Sequence, residues 1–288
     1  MMTMFTPRDR RLAETAVSAL TDQLDLAPKP GLPDPRDPAA RVTGHDHHAL
    51  RWSAGAMTSG LTAMAAAARR TGEPSAALRA ELGAIGRCTE HSLRLAGGGH
   101  RGALWTLGLL VAGAALTPST GSDDITATVR RIAAHPDPGA PHRPSHGSAM
   151  SVRYGAAGAR GEARAGFPHV RRALHVLTAT RRSGAPETQA RLDALLAVMA
   201  SLRDSELLHT AGPSGLRQVH SEVQAVLEAG GTATPAGAAA LAALDEALRA
   251  RGWSPRGSAG LLAGALFLDA LKSAGRNGNS QGAGSGRR

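Results

Sequence analysis

Lysine is nearly missing from this sequence. Only Lys29 and Lys272 interrupt the use of arginine among the 33 basic residues, which face 23 Asp and Glu. The formal charge is +10, but the cations are scattered rather than gathered in a block. Aromatics are as scarce, at 2%, and few lie among the arginines. A nucleic-acid surface needs a basic stripe, often with stacking rings, so nucleic acid is not an expected partner. Small polyanions such as nucleotide polyphosphates fit the charge better. The shortage of rings also leaves alanine and leucine to build the core, which favours close-packed helices over sheets. One cysteine, Cys88, excludes an internal disulfide framework and suits a reducing cytosol. The apolar run at 102–116 is about fifteen residues, short of the roughly twenty that span a bilayer. The opening M-M-T-M-F-T-P-R-D-R-R carries no signal-peptide pattern. A cytoplasmic protein without a membrane partner is expected.

The residues that are present read as helices throughout. Apolar spacing near 3.6 predicts helices over 8–24, 49–71, 76–95, 102–116, 125–134, 168–182, 187–203, 213–229, 235–251 and 257–273. Ser75 is a candidate N-cap. No strand pattern is found, so the expected fold class is all-α, a single compact multi-helix bundle over residues 1–274. The Gly/Ser/Asn-rich tail, 275–288, is expected to be disordered. The uncharged run 102–116 suits a buried central helix, and the rest of the chain is organised around it.

Directly before that run stand Gly97, Gly98 and Gly99, then His100 and Arg101. A glycine turn feeding a helix N-terminus exposes backbone N–H groups at the positive end of the helix dipole, which suits a phosphate. The same letters also fit a plain turn before a core helix. Lys29 sits between Pro28 and Pro30, held extended, and is either a point charge for a phosphate or a solvated turn lysine. After a Pro/Asp-rich linker at 33–40 comes T-G-H-D-H-H at 43–48, whose spacing does not suit zinc. Asp46 is a candidate to hold Mg²⁺ through water or to cap a helix. Glu90 lies one to two turns before the glycines and can face the same pocket. The stretch 145–170 holds the only tyrosine, Tyr154, and spaces Arg160 and Glu162 among glycines, as if backbone there were approached closely.

In order, these segments resemble the triphosphoribosyl-dephospho-CoA synthase family, in particular its malonate decarboxylase-associated branch. That family's T-P-K-P-G-L-V has a counterpart in A-P-K-P-G-L at 27–32, and its G-A-H-x-D-M in G-H-D-H at 44–47. Its A-E-x-x-M-x-x-A-T-G-G-V-N-T-H-K/R-G corresponds to T-E-H-S-L-R-L-A-G-G-G-H-R-G at 89–102, followed by L-G-L-L at 107–110. Its T-H-G corresponds to S-H-G at 145–147. The most specific match is Y-G-A-A-G-A-R-G-E-A-R-A-G-F-P at 154–168, and S-P-R-G-S-A-G-L-L at 254–262 answers S-P-G-G-S-A-D-L-L. The resemblance runs over about residues 13–270. The sequence departs from the pattern in three places. One glycine replaces V-N-T in the loop, H-D-H-H stands for H-x-D-M, and Gly260 and Arg256 replace an aspartate and a glycine.

The resemblance implies pentosyl transfer. The 2′-hydroxyl of 3′-dephospho-CoA attacks the anomeric carbon of the ATP ribose and adenine leaves, giving a prosthetic-group precursor for an acyl-carrier protein. An oxocarbenium-like transition state calls for a carboxylate near the sugar and a base for the hydroxyl. Cations, with Mg²⁺ as the implied cofactor, hold the triphosphate. On this reading Lys29, Gly97, Gly98, His100 and Arg101 bind the triphosphate, and Asp46 and Glu90 hold the metal. Glu162 is the catalytic carboxylate, with Arg160 orienting it or binding phosphate; a structural ion pair is the competing role for these two. Two other functions remain open: a different ATP-dependent transferase on the same scaffold, or a nucleotide-binding protein that has lost activity.

Overall fold

The computed structural model describes residues 5–36, 46–140, 150, 153–156 and 158–282, with side chains of the last helix described to 276. Residues 37–45, the S-H-G at 145–147 and the end of the tail at 283–288 lie outside the described residues. Among those described there is no strand, and the fold is all-α. The chain begins with α1 (Pro7–Asp25), α2 (His47–Gly55), α3 (Thr58–Thr71) and α4 (Ala76–Leu95). It continues through α5 (Arg101–Leu116), α6 (Ser122–Ala134), α7 (Gly158–Arg164), α8 (Pro168–Arg182) and α9 (Glu187–Met199). Last come α10 (Ser205–Thr210), α11 (Gly212–Glu228), α12 (Pro235–Arg251) and α13 (Arg256–Gly282).

The caps explain several of these boundaries. Thr6 and Asp9 form a capping box at α1, each side chain bonding the other's backbone N–H at 3.2 and 2.8 Å. The Asp9 carboxylate also takes three hydrogen bonds from Arg69 of α3, which ties the first helix to the third. Burial alone would raise the Asp9 pKa, but these bonds bring it below the usual carboxylate value. Ser75 caps α4 as expected, accepting from the Leu78 N–H at 3.3 Å.

The buried central helix is α5. From Thr106 to Ala114 every residue is buried, because α1, α3, α4, α6, α7 and α13 all pack on it. Glycines let neighbours come close: a Cβ on Gly113 would lie 2.7 Å from Val129 of α6. A second helix, α9, is buried from Leu192 to Met199, which its sequence does not announce. First and last helices pack together, α1 against α13.

The structure corrects several expected boundaries. The helix expected over 49–71 is two, because Ala56 and Met57 donate to carbonyls only three residues back, at 3.1 Å each, and tighten the turn. The joining stretch 204–212 contains α10, capped by Asp204. The glycine-spaced segment is helical as α7. The last helix runs on to Gly282 rather than 273, into residues expected to belong to a disordered tail.

Candidate active site

The glycine turn is first of all a helix stop. Gly97 takes φ +75°, a left-handed conformation that costs glycine little. Its N–H bonds the Arg94 carbonyl at 3.2 Å, and the Gly98 N–H reaches back to the Leu93 carbonyl at 3.0 Å. This pair of bonds is a Schellman motif closing α4. The N–H groups of Gly97 and Gly98 are therefore committed to α4, which corrects their expected role as phosphate donors. The positive end of α5 follows with no side chain capping it, so its first-turn N–H groups have no intrahelical partner.

Several elements converge on that end of α5. Glu90 of α4 pairs with Arg101 Nε at 2.9 Å, linking two of the expected site residues directly. His100 is buried, with Nε2 donating to the Leu50 carbonyl of α2 at 2.7 Å. Gly98 lies against Ser53 of α2, where a Cβ would fall 2.3 Å from Oγ. On the other side Gly260 of α13 meets main chain: a Cβ there would lie 3.1 Å from the Ala103 nitrogen. The close helix contact is made where the resembling pattern carries an aspartate.

Lys29 is not on the surface. It is 1% exposed, and Nζ donates to the carbonyls of Gln23 and Leu24 at 2.8 and 2.9 Å. These are end-of-helix carbonyls of α1, at the negative end of its dipole, where a cation is favoured. Burial lowers the Lys29 pKa to about 7, against the nearby charges of Asp34 and Asp25, which raise it. The ammonium thus caps α1 instead of standing ready for a phosphate, correcting the exposed-cation expectation. His47 shares its acceptor, with Nε2 3.2 Å from the same Leu24 carbonyl and 3.3 Å from Asp25 Oδ1. His47, which shares the Leu24 carbonyl with Lys29, and Leu50, which accepts from His100, stand about one turn apart on α2.

The loop around Lys29 is anchored rather than slack. Asp34 is fully buried and takes bonds from the Lys29 N–H, from Arg36 and from Arg249. Asp245 of α12 receives the Gly31 N–H at 3.0 Å and Arg36 at 2.7 Å. Residues 33–36 are thus part of an ion-pair lattice, not a linker.

Asp46 is exposed and caps α2, accepting from the His48 N–H at 2.8 Å. With Asp46 so used and Glu90 paired to Arg101, neither is poised as a metal ligand. Among the described residues no group of three or more His, Cys, Asp or Glu gathers round a common point. The donors described here do not fit a resident Mg²⁺.

Glu162 is buried in α7 and faces α8. Oε1 lies 2.7 Å from Nδ1 of His169, and Oε2 accepts the His169 N–H at 3.3 Å. A carboxylate can only accept here, so Nδ1 carries the proton of this bond and Nε2 is the ring nitrogen left outside it. The intervening corner is tight: Gly166 and Phe167 both have positive φ, and the Phe167 N–H closes α7 on the Glu162 carbonyl at 2.7 Å. His169, which follows the G-F-P of the motif directly, escaped the sequence reading; its position at the start of α8 was the available signal. Arg160 is exposed on α7, close enough for its charge to act on Arg79 of α4.

A buried carboxyl also joins the last motif to the rest. Asp204 accepts the N–H groups of Glu206 and Gly257 at 2.9 Å each, capping α10 and α13 together. Burial pushes its pKa up to about 6, against the backbone bonds that lower it.

The comparisons with known proteins agree with one another. The model of the CitG family, "ATP:dephospho-CoA triphosphoribosyl transferase", matches residues 9–279. A protein of Stutzerimonas stutzeri (strain A1501) is 47% identical over 91% of each chain. One of Azotobacter vinelandii (strain DJ) is 44% identical, again over 91% of each. One of Pseudomonas aeruginosa (strain UCBPP-PA14) is 46% identical over 90% of each. All three are named "Probable 2-(5''-triphosphoribosyl)-3'-dephosphocoenzyme-A synthase". No solved structure matches the chain. The class that follows is an all-α transferase. More narrowly, the chain belongs to the ATP:dephospho-CoA triphosphoribosyl transferase family.

Proposed function

We propose that this protein moves the 5-triphosphoribosyl group of ATP onto the 2′-hydroxyl of 3′-dephospho-CoA. The bond between the ribose anomeric carbon and adenine breaks, and a bond from that carbon to the 2′-oxygen forms. The hydroxyl proton is lost and adenine leaves protonated. The observation that carries this reading is the family match across residues 9–279. The product serves as a prosthetic-group precursor for an acyl-carrier protein, with malonate decarboxylase as the enzyme supplied, and the work is done in the cytoplasm. Among the described residues no helix is long and apolar enough to cross a membrane.

The residues divide the work as follows. Arg101 and the open N–H groups of α5 take the triphosphate, with Glu90 holding Arg101 in place. His169 is the general base for the 2′-hydroxyl, and Glu162 is a positioning residue that fixes its tautomer through the 2.7 Å bond. Mg²⁺ enters with ATP as part of the substrate, and no step is assigned to a resident metal. The test is incubation with ATP, Mg²⁺ and 3′-dephospho-CoA, followed by mass analysis. Free adenine and a triphosphoribosyl adduct are expected. Release of ADP instead points to phosphoryl transfer on the same scaffold, and ATP binding without any product points to a protein that has lost activity. For the positioning role, Glu162→Gln is expected to lower kcat about 100-fold or more while leaving KM for ATP nearly unchanged. A fall in Tm with kcat intact shows a purely structural Glu162.

A further inference from the structure

One helix face outside the α5 corner carries more positive charge than its surroundings neutralise. Arg79, Gly83 and Arg87 stand four residues apart on α4 and so share one face. Gly83 and Gly86 let Asp137 and Trp105 close directly onto it. A Cβ on Gly83 would fall 2.4 Å from the Asp137 carboxylate, and one on Gly86 would fall 2.5 Å from the Trp105 ring. Asp137, from the loop after α6, pairs with Arg87 at 2.8 Å and lies 3.6 Å from Arg79 Nη1. The Arg79 guanidinium sits 5.9 Å from the centre of the Trp105 ring. Its side chain is 12% exposed, and among the described residues the buried Nη1 has no partner within hydrogen-bond distance. Arg160 and Arg164 of α7 also act on it: burial lowers the Arg79 pKa first, the Asp137 charge raises it, and Arg160, Arg87 and Arg164 lower it further. Two guanidiniums, Arg79 and Arg87, thus share one carboxylate, and Arg160 and Arg164 of α7 stand near enough for their charges to act on Arg79.

A buried guanidinium with an unmet donor beside three others is costly unless an anion completes it. Guanidinium pairs with phosphate oxygens in a planar, two-pronged geometry, which makes phosphate the matching anion. The reaction proposed above brings two phosphate chains together, and the α5 corner accounts for one. Along α4, Arg87 and Arg79 stand about 5 and 17 Å from Glu90, within the reach of a molecule as long as 3′-dephospho-CoA. We propose that Arg79, Arg87, Arg160 and Arg164, with Trp105 as a flat wall, form the subsite for the diphosphate bridge of 3′-dephospho-CoA. This assignment of the ligand rests on the proposed reaction; the assignment of a phosphate-chain site rests on the cluster alone.

The test is titration calorimetry of 3′-dephospho-CoA, ATP and inorganic pyrophosphate into the full-length protein. The variants are Arg79→Gln, Arg164→Gln and the exposed control Arg217→Gln. Loss of one charge-assisted contact is expected to weaken 3′-dephospho-CoA about 10- to 100-fold in Arg79→Gln. A smaller loss is expected in the exposed Arg164→Gln, with ATP affinity and the Arg217→Gln control unchanged. Arg164→Gln carries the test if Arg79→Gln does not fold. Unchanged affinity for 3′-dephospho-CoA and pyrophosphate at 79 and 164, or an equal loss in the control, overturns the site. A loss confined to ATP overturns the diphosphate assignment. If the wild type binds neither substrate yet binds pyrophosphate through Arg79, the proposed reaction fails and the anion site stands.

Discussion

Lys29 shows how far a single side chain can differ from the setting its neighbours suggest. Between two prolines it reads as exposed, yet it folds back onto the end of α1 and loses water almost completely. The consequence is a proton held less tightly in the folded state, near pH 7 rather than the ordinary 10.5. Between those values the unfolded chain binds the proton and the folded one does not, so stability rises with pH there, by up to about 1.4 kcal/mol per pH unit. Below pH 7 both states are charged and the burial cost is constant. Urea unfolding of wild type and Lys29→Met from pH 6 to 10 measures this. The difference between them is expected to move in the wild type's favour as pH rises above 7, and a pH-independent difference contradicts it.

Among the helices, packing distances rather than propensities set the site. α13 lies against α5 so closely that a side chain at Gly260 would press on the α5 main chain. Gly260→Asp, which restores the residue of the resembling pattern, is expected to destabilise by about 1–3 kcal/mol through overpacking, read as a lower urea midpoint. Most helices were legible because apolar spacing and caps such as Ser75 are local. The break at Ala56, the six-residue α10 and the helicity of α7 were not, since each depends on a tight turn or a distant partner such as the α13 N–H groups on Asp204. The pairing of Glu90 with Arg101 was within reach, both flanking the glycines. The arginine cluster was not, because Asp137 lies 50 residues from Arg87 in the chain and only the packing of α4, α6 and α7 joins them. The glycines themselves misled: Gly97 and Gly98 stand just ahead of α5 but close α4.

For the molecule as a whole, ion pairs set the acid limit of stability. Bonds from Arg69 and Arg36 overcome the effect of burial and hold the Asp9 and Asp34 pKa values below the ordinary 3.8, and Arg181 lowers Glu187. Such groups stabilise the fold above their unfolded pKa, and that contribution is lost as pH falls through the folded one. Asp204 runs the other way, since its folded pKa near 6 lets the native state bind a proton first, so its contribution shrinks as pH rises from about 4 to 6. The urea midpoint is therefore expected to drop steeply only below about pH 4. Asp34→Asn is expected to lower stability at pH 7 and flatten that drop, whereas an equally steep drop in the variant removes Asp34 from the account.

The contact at Gly260 also bears on which residues that position can accept. The obstacle a new side chain would meet is the main chain of Ala103, which no compensating exchange of letters at position 103 can trim away. An acidic side chain at 260 therefore needs α13 and α5 to part by a few tenths of an ångström, a shift that two rigid rods must share along their length.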